Sequence, residues 1–386
     1  MTPTAPDIPS NWIVADRNPA AEQQLALELG IAPIIANVLI GLGITTPEAA
    51  HEYLHADLSS LHDPALLPDF DAAAREILGA IERKERIYVH GDYDADGVTS
   101  AALLTRFLRL IGGDVVVHVP HRVRDGYGVH ENAVRHAVEQ GAKLLLTCDC
   151  GIQSHDEVRA AHEAGMRVVI TDHHEPGPTL PPAEAVVNPH RADSKYPYKH
   201  LSGVGVAFKL CAGLTREIGH PLTGYYRAYL DLATIGTVAD VMPLTGENRI
   251  IVKHGLPLIL SSQKPGLRAM VERAKLKSPM RASDVGFKIG PRINAVGRMD
   301  DATKVLDLLL TQDGAAAMEM MDYVEELNAE RKDAELQIVH EAKEMILERG
   351  YADDPILLVA KEGWQAGLIG LVAGKLTEQY CRPSFV

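Results

Sequence analysis

Between residues 86 and 189, five short runs that are apolar almost throughout alternate with segments of helical length: RIYVH (86–90), DVVVHVP (114–120), KLLLTCDC (143–150), RVVITDHH (167–174) and AEAVVNP (183–189). A strand with one wet face alternates apolar and polar residues. Runs without that alternation belong to strands covered on both faces, and helix-length spacers supply the cover. The expected fold class is therefore α/β, a parallel sheet with helices on both faces. Three of the runs lead into acids or histidines, as GDYDADG (91–97), CDCG (148–151) and TDHH (171–174). That puts polar groups at the carboxyl ends of parallel strands, where open α/β sheets build their sites.

The rest of the chain hangs on this block. At 386 residues it exceeds one ordinary core, so two domains with accessory pieces are expected. Residues 1–65 read as a helical preface, with AAEQQLALELG ending at Gly30 and TTPEAAHEYL opening on a Thr cap followed by Pro47 and Glu48. Residues 66–313 carry the sheet and a basic C-terminal part. From Gly314 to Gly350 few residues interrupt helical spacing, which predicts one long connecting helix, residues 314–350. Residues 351–386 read as strand, loop, helix and the first residues of another strand, the start of a second α/β domain that the chain leaves incomplete.

No apolar run approaches the ~20 residues that span a bilayer, so a membrane role is not expected. The N-terminus MTPTAPDIPSNW lacks a basic start, an apolar stretch and a small-residue cleavage site. With four cysteines, this reads as a cytoplasmic protein. The formal net charge of −14 weighs against a polyanionic partner, but it hides a reversal. From Lys264 to Lys304 there are ten Lys/Arg against four acids, a local +6.

The chemistry concentrates at the strand ends. Leaving a strand in extended conformation, Asp92, Asp94 and Asp96 would point the same way and converge. Such crowding is costly unless a hard divalent cation such as Mg²⁺ or Mn²⁺ sits among the carboxylates. A solvated turn or a calcium loop is the alternative; the EF-hand pattern is not met, because Leu103 stands where its bidentate acid belongs. Asp149 alone reads as a helix cap, and its neighbours Cys148 and Cys150 as a packed strand end. Asp172, His173 and His174 offer metal ligands and a proton donor in one loop. Asp240 in GTVADVMPL reads as an acid buried among apolar residues, needing a metal or a capping role. Arg292 and Arg298, with Asn294 between them in GPRINAVGRM, are candidates to hold a phosphate, since a guanidinium grips phosphate oxygens two at a time. Arg122, Arg124 and Tyr127 are candidates to line a nucleic-acid track or stack a base.

Taken in order, GDYDADG, CDCG, TDHH and GTVADVMPL closely resemble the four motifs of the DHH phosphoesterases. The helical preface, NPHRADSKYPYKHLSGVGVAFKL and GPRINAVGRMDDA resemble the RecJ branch, single-strand-specific 5′→3′ exonucleases, over about residues 12–386. The resemblance implies Asp94, Asp96, Asp149, His173 and Asp240 as ligands of one or two Mn²⁺ or Mg²⁺ ions. It implies Asp92 and Asp172 as bridging or orienting groups, and His174 as the histidine beside the scissile phosphate. Single-stranded DNA would be the substrate, with a single-strand-binding protein and a helicase as partners, in repair and recombination. Residues 351–386 resemble the start of a DHHA1 domain, with Gln365 after Trp364 where the family usually has His. The later glycine-His motif and an OB-fold would lie beyond the chain, which leaves the low basicity compatible with DNA binding. Two other readings remain: a DHH phosphodiesterase for short oligonucleotides or cyclic dinucleotides, which the RecJ-like blocks oppose, and a non-catalytic repair partner, which the retained acids oppose.

Overall fold

The apolar runs become five parallel strands, β1 (Arg86–His90), β2 (Asp114–His118), β3 (Ala142–Cys148), β4 (Arg167–Thr171) and β5 (Ala185–Val187), in the order β2-β1-β3-β4-β5. The structure is a computed structural model and describes residues 17–386; the first 16 residues of the expected preface lie outside the described residues. The preface that is described forms α1 (Pro19–Leu29), α2 (Pro33–Gly41) and α3 (Pro47–His55) around its own small core of Leu25, Ala36, Leu39 and Ala50. Thr46 Oγ1 accepts from Ala49 N, the cap expected from the sequence.

Helices α4 (Phe70–Glu82), α5 (Ala95–Leu110) and α8 (Gly203–Glu217) cover one face of the sheet, while α6 (Glu131–Glu139) and α7 (His155–Glu163) cover the other. Burial on both sides is why the strands read as unbroken apolar runs: Ile87 and Val89 enter one core, Tyr88 the other. A second helical layer, α9 (Leu222–Ala239) and α10 (Gly246–Leu260), packs behind α5 and α8. Next come α11 (Pro265–Arg273), α12 (Ala282–Asp284), a π-helical turn over Val285–Ile289, α13 (Gly290–Met299) and α14 (Thr303–Leu310).

The long helix α15 (Gly314–Glu348) spans 35 residues, roughly 50 Å at 1.5 Å per residue. Asp313 caps it, accepting from Ala315 N and Ala316 N. Ala317, Met321 and Val324 join the main core, whereas Ile338, Val339, Ala342 and Ile346 join a separate core with α16 (Ala366–Tyr380) and the parallel pair β6 (Leu357–Leu358) and β7 (Ser384–Phe385). One helix thus belongs to two lobes.

Candidate metal centre

The chain adds β2 on one side of β1 and β3 on the other, so a crevice opens at the carboxyl ends of β1 and β3. The three strand-end motifs lie on the neighbours β1, β3 and β4 and meet there. Three groups of side chains place ligand atoms within 4.8 Å of one another: Asp92, Asp94 and Asp149; Asp96, His173 and Asp240; and Asp149, His173 and His174.

The aspartates of GDYDADG converge by a different route from the expected extended one. The strand stops at His90, and Asp94 is the N-cap of α5, its Oδ1 accepting from Asp96 N at 2.9 Å and Gly97 N at 3.1 Å. Asp96 therefore sits in the first helical turn and joins a different group from Asp92 and Asp94. Its carboxylate is fixed from the far side by the N-terminus of α8, which donates Gly203 N to Oδ2 at 2.6 Å and Val204 N to Oδ1 at 2.9 Å. The turn can be this tight because a Cβ on Gly97 would strike the Asp92 backbone. Asp149 takes the left-handed conformation (φ 61°), one that acids tolerate better than most residues. A Cβ on Gly203 would collide with the Asp149 carboxylate.

Asp172 is fully buried. Its Oδ2 accepts from Ile152 N at 2.9 Å, and its Oδ1 accepts from His173 N at 2.7 Å and lies 2.7 Å from His174 Nδ1. Burial alone would raise the Asp172 carboxyl, but the His174 ring holds it below its ordinary range. In turn, burial would lower His174, and the Asp172 bond and charge outweigh it and raise it. The pair is an oriented imidazole whose Nε2 faces the crevice beside the Tyr127 hydroxyl, 3.4 Å away. His173 stands among three carboxylates, its Nε2 at 3.1 Å from Asp149 Oδ1, 3.7 Å from Asp240 Oδ2 and 3.9 Å from Asp96 Oδ2. Burial and the His174 charge push it down to about 4, so the ring is a neutral lone-pair donor.

The acids behave oppositely. Burial and the Asp94 charge raise Asp92 to about 7 and Asp240 to about 6. Burial, then neighbouring carboxylates, raise Asp96 and Asp149 well above the ordinary range. Asp92 Oδ1 and Asp149 Oδ1 are buried without a hydrogen-bond partner, the latter close to His173 but not aligned with it. Buried carboxylate oxygens left without donors, beside a neutral imidazole, are the donor set for a hard divalent cation. The residues fit the ion.

Other expectations change. Asp240 is the C-cap of α9, a quarter exposed and next to Val241 at 86 % exposure, so it is not an acid buried among apolar residues. Of the basic segment, Lys264 pairs with Asp231, Arg273 with Asp322, Lys288 with Asp284, and Lys304 with Asp300. Arg292 donates Nε to Glu325 Oε1 of α15 at 2.7 Å and Nη1 to Lys288 O at 2.6 Å, a tie that fixes its guanidinium plane. Asn294 Oδ1 accepts from Ala95 N at 2.8 Å and pins the first turn of α5. Arg298 Nη1 donates to Gly367 O at 2.9 Å, bridging α13 to α16. Glu325, Ala95 and Gly367 lie far along the chain, which is why the local sequence did not announce them.

Arg122 lies 4.0 Å over the Tyr93 ring with its Nε buried and unpartnered, and is available to an anion at the crevice. Arg124 points elsewhere, onto Asp125. Tyr127 Oη donates to Asp149 O at 3.3 Å and lies 3.0 Å from His174 Nδ1, so it borders the site. Sequence reasoning missed Asn188, fully buried, whose Nδ2 donates to His174 O at 2.9 Å. Its place at the end of β5, in AVVNP, is the same strand-end signal that marked the other motifs. Cys148 and Cys150 are packed, as expected, with thiols raised by burial.

This arrangement defines an α/β protein with a divalent-metal site at its sheet edge, and residues 86–237 match the DHH family, N-terminal domain. The single-stranded-DNA-specific exonuclease RecJ of Bacillus subtilis (strain 168) is 38 % identical over 376 residues, covering 97 % of this chain and 47 % of its own. A crystal structure of exonuclease RecJ bound to manganese matches with a TM-score of 0.75 at 39 % identity, over 82 % of this chain and 79 % of that one. RecJ from Thermus thermophilus in complex with Mn²⁺ matches with a TM-score of 0.83 at 34 % identity, over 96 % of this chain and 52 % of that one. The chain belongs to the RecJ family. It spans about half the length of the first curated relative that it matches.

Proposed function

We propose that this chain is a metal-dependent phosphodiesterase that degrades single-stranded DNA from the 5′ end to 5′-mononucleotides. The observation that carries the reading is the convergence of Asp92, Asp94, Asp96, Asp149, His173 and Asp240 with two buried carboxylate oxygens lacking any donor. The names of the relatives, single-stranded-DNA-specific exonucleases, support the substrate class. Asp94, Asp96, Asp149, His173 and Asp240 would hold one or two Mn²⁺ or Mg²⁺ ions, with Asp92 bridging or orienting. When bound, such ions acidify a water and neutralise the oxygens of an in-line displacement at phosphorus.

The remaining work falls to the chain's own groups. Asp172 fixes the His174 ring through Nδ1, leaving Nε2 to donate to a phosphate oxygen or to the leaving 3′-oxygen. Raised by Asp172, His174 is better able to carry that proton. Arg122 is free to hold a phosphate of the strand, and the Tyr127 phenol, kept protonated chiefly by burial, closes one side. The second lobe, tied to α13 through Arg298, would narrow the crevice to one strand.

We place the enzyme in cytoplasmic DNA repair and recombination on the family resemblance; the four unbridged cysteines agree with a reducing compartment. Among the described residues no single helix is long and apolar enough to cross a membrane.

The test is to incubate 5′- and 3′-labelled single strands and duplex with Mn²⁺ or Mg²⁺, beside an Asp94→Ala/Asp96→Ala variant. Mononucleotides released from the 5′ end of single strands, and lost in the variant, are expected. Release from the 3′ end, or unchanged cleavage by the variant, would overturn the proposal.

A further inference from the structure

A second, unassigned site lies at the other end of α5. Arg106 and Arg109 stand three residues apart and share one helix face, on the order of 20 Å from Asp94 at 1.5 Å per residue. With Arg227 of α9 and Lys264, the residue before α11, they line a cavity of about 1010 Å³.

One acid lines that cavity, and it is already engaged. Asp231 is buried and accepts from Lys264 Nζ at 2.8 and 2.9 Å and from Ser262 Oγ at 2.8 Å. Arg106, Arg109 and Arg227 have no salt-bridge partner among the described residues. Arg106 donates one nitrogen to Leu309 O at 3.1 Å and Leu310 O at 3.3 Å, and Arg109 donates one to Val115 O at 2.9 Å. Fixed backbone carbonyls thus set both guanidinium planes and leave their other N–H groups free. In a chain of net charge −14, three guanidiniums without a salt-bridge partner gather around one cavity whose single acid, Asp231, is shared with Lys264. An anionic ligand supplies the counter-charge.

The cavity adjoins an apolar one of about 750 Å³, Leu110, Gly224, Ala228 and Tyr229 lining both. Leu78, Ile81, Ile111 and Ile218 line this second part, with Glu82 as its acid. Both volumes fall in the range of small-molecule sites.

We propose that this bipartite cavity binds a nucleoside polyphosphate, the phosphates on the three arginines and the base in the apolar part. Arginine forks match phosphate oxygens two at a time, and a di- or triphosphate concentrates several charges in one compact group. An acidic peptide of equal charge spreads it over several side chains and would demand a longer groove.

Calorimetric titration of the 386-residue chain in EDTA, with ATP, pyrophosphate and adenosine as separate probes, tests this. ATP should bind, with pyrophosphate weaker and adenosine weakest. Arg109→Ser/Arg227→Ser, both at exposed positions, should weaken ATP on the order of tenfold or more, with melting temperature lowered only slightly by loss of the Arg109–Val115 bond. Arg122→Ser, at the metal centre, should leave ATP affinity intact. The proposal is overturned by absent ATP binding, by equal affinity in the double variant, by loss of binding in Arg122→Ser, or by an oligoglutamate peptide that outcompetes ATP. None of these outcomes bears on the exonuclease reading, which has its own assay.

Discussion

Asp172 contributes no ligand atom to the centre; it fixes His173 through its backbone N and orients His174 through Nδ1. Replacing it by Asn removes the charge that raises His174 and leaves one acceptor oxygen, so either Ile152 N or the His173 and His174 donors lose their partner. If protonated His174 serves the reaction, Asp172→Asn should lower kcat on the order of a hundredfold and move the alkaline limb of the pH–rate profile to lower pH. A fall in rate with no movement of that limb would assign Asp172 to folding alone. A second residue-scale expectation concerns the acids. With folded-state values of about 7 for Asp92 and about 6 for Asp240, both above the ordinary carboxyl value, these groups favour the metal-free fold fully only below about pH 4. That contribution is lost as pH rises through about 6 to 7, because the native state must then hold crowded charges. Buried neutral histidines such as His90, lowered by burial to about 3, titrate with the opposite sign, so the raw melting curve mixes both. The difference in melting temperature between Mn²⁺ and EDTA isolates the metal site and should widen from about pH 5 to about pH 8. A difference independent of pH would mean that these carboxylates do not hold the ion.

At the scale of elements, α5 is the piece on which the centre is assembled. Its cap is Asp94, its first turn carries Asp96, and Asn294 of α13 holds Ala95 N. Asn294→Ala leaves that amide without its acceptor and should cost about 1–2 kcal/mol of stability, with weaker Mn²⁺ binding. Had Asn294 gripped DNA, the variant would instead raise KM at unchanged melting temperature; comparing the two measurements decides. The five strands, the cap at Thr46 and the whole of α15 were legible in the sequence, because two-sided burial and unbroken helical spacing write themselves into local residue patterns. Three of the four motifs end a strand, which made their meeting legible, whereas Asp240 caps helix α9 and joined the centre only through the family resemblance. The geometry of the centre was not legible. Whether Asp94 continues the strand or caps a helix depends on hydrogen bonds to its own next turn. Whether Arg292 faces a phosphate depends on Glu325, 33 residues away on α15. Local pattern carries neither fact.

On the scale of the molecule, the two lobes share α15 and keep separate cores, joined by Met299, which packs against both, and by Arg298 on Gly367 O. Glu335 holds α16 onto α15 within the second lobe. Buried on α15, it accepts from Arg331 Nη1 at 2.6 Å on the same helix and from Lys375 Nζ at 2.6 Å on α16. Glu335→Gln leaves two cations without their counter-charge. Lys375 is about half exposed and screened, so the loss should be about 1–3 kcal/mol, confined to the second lobe. Hydrogen exchange should then quicken in α16 and β6–β7 while β1, β3 and β4 keep their protection, because the sheet core does not include Ile338, Val339 or Leu368. Mn²⁺ affinity should hold, since every candidate ligand belongs to the first lobe. On the proposed function, discrimination between single strands and duplex should fall, because the second lobe would set the crevice width. If exchange instead quickens through both lobes together, the molecule unfolds as one unit, and crevice width is a property of the whole core rather than of this tie.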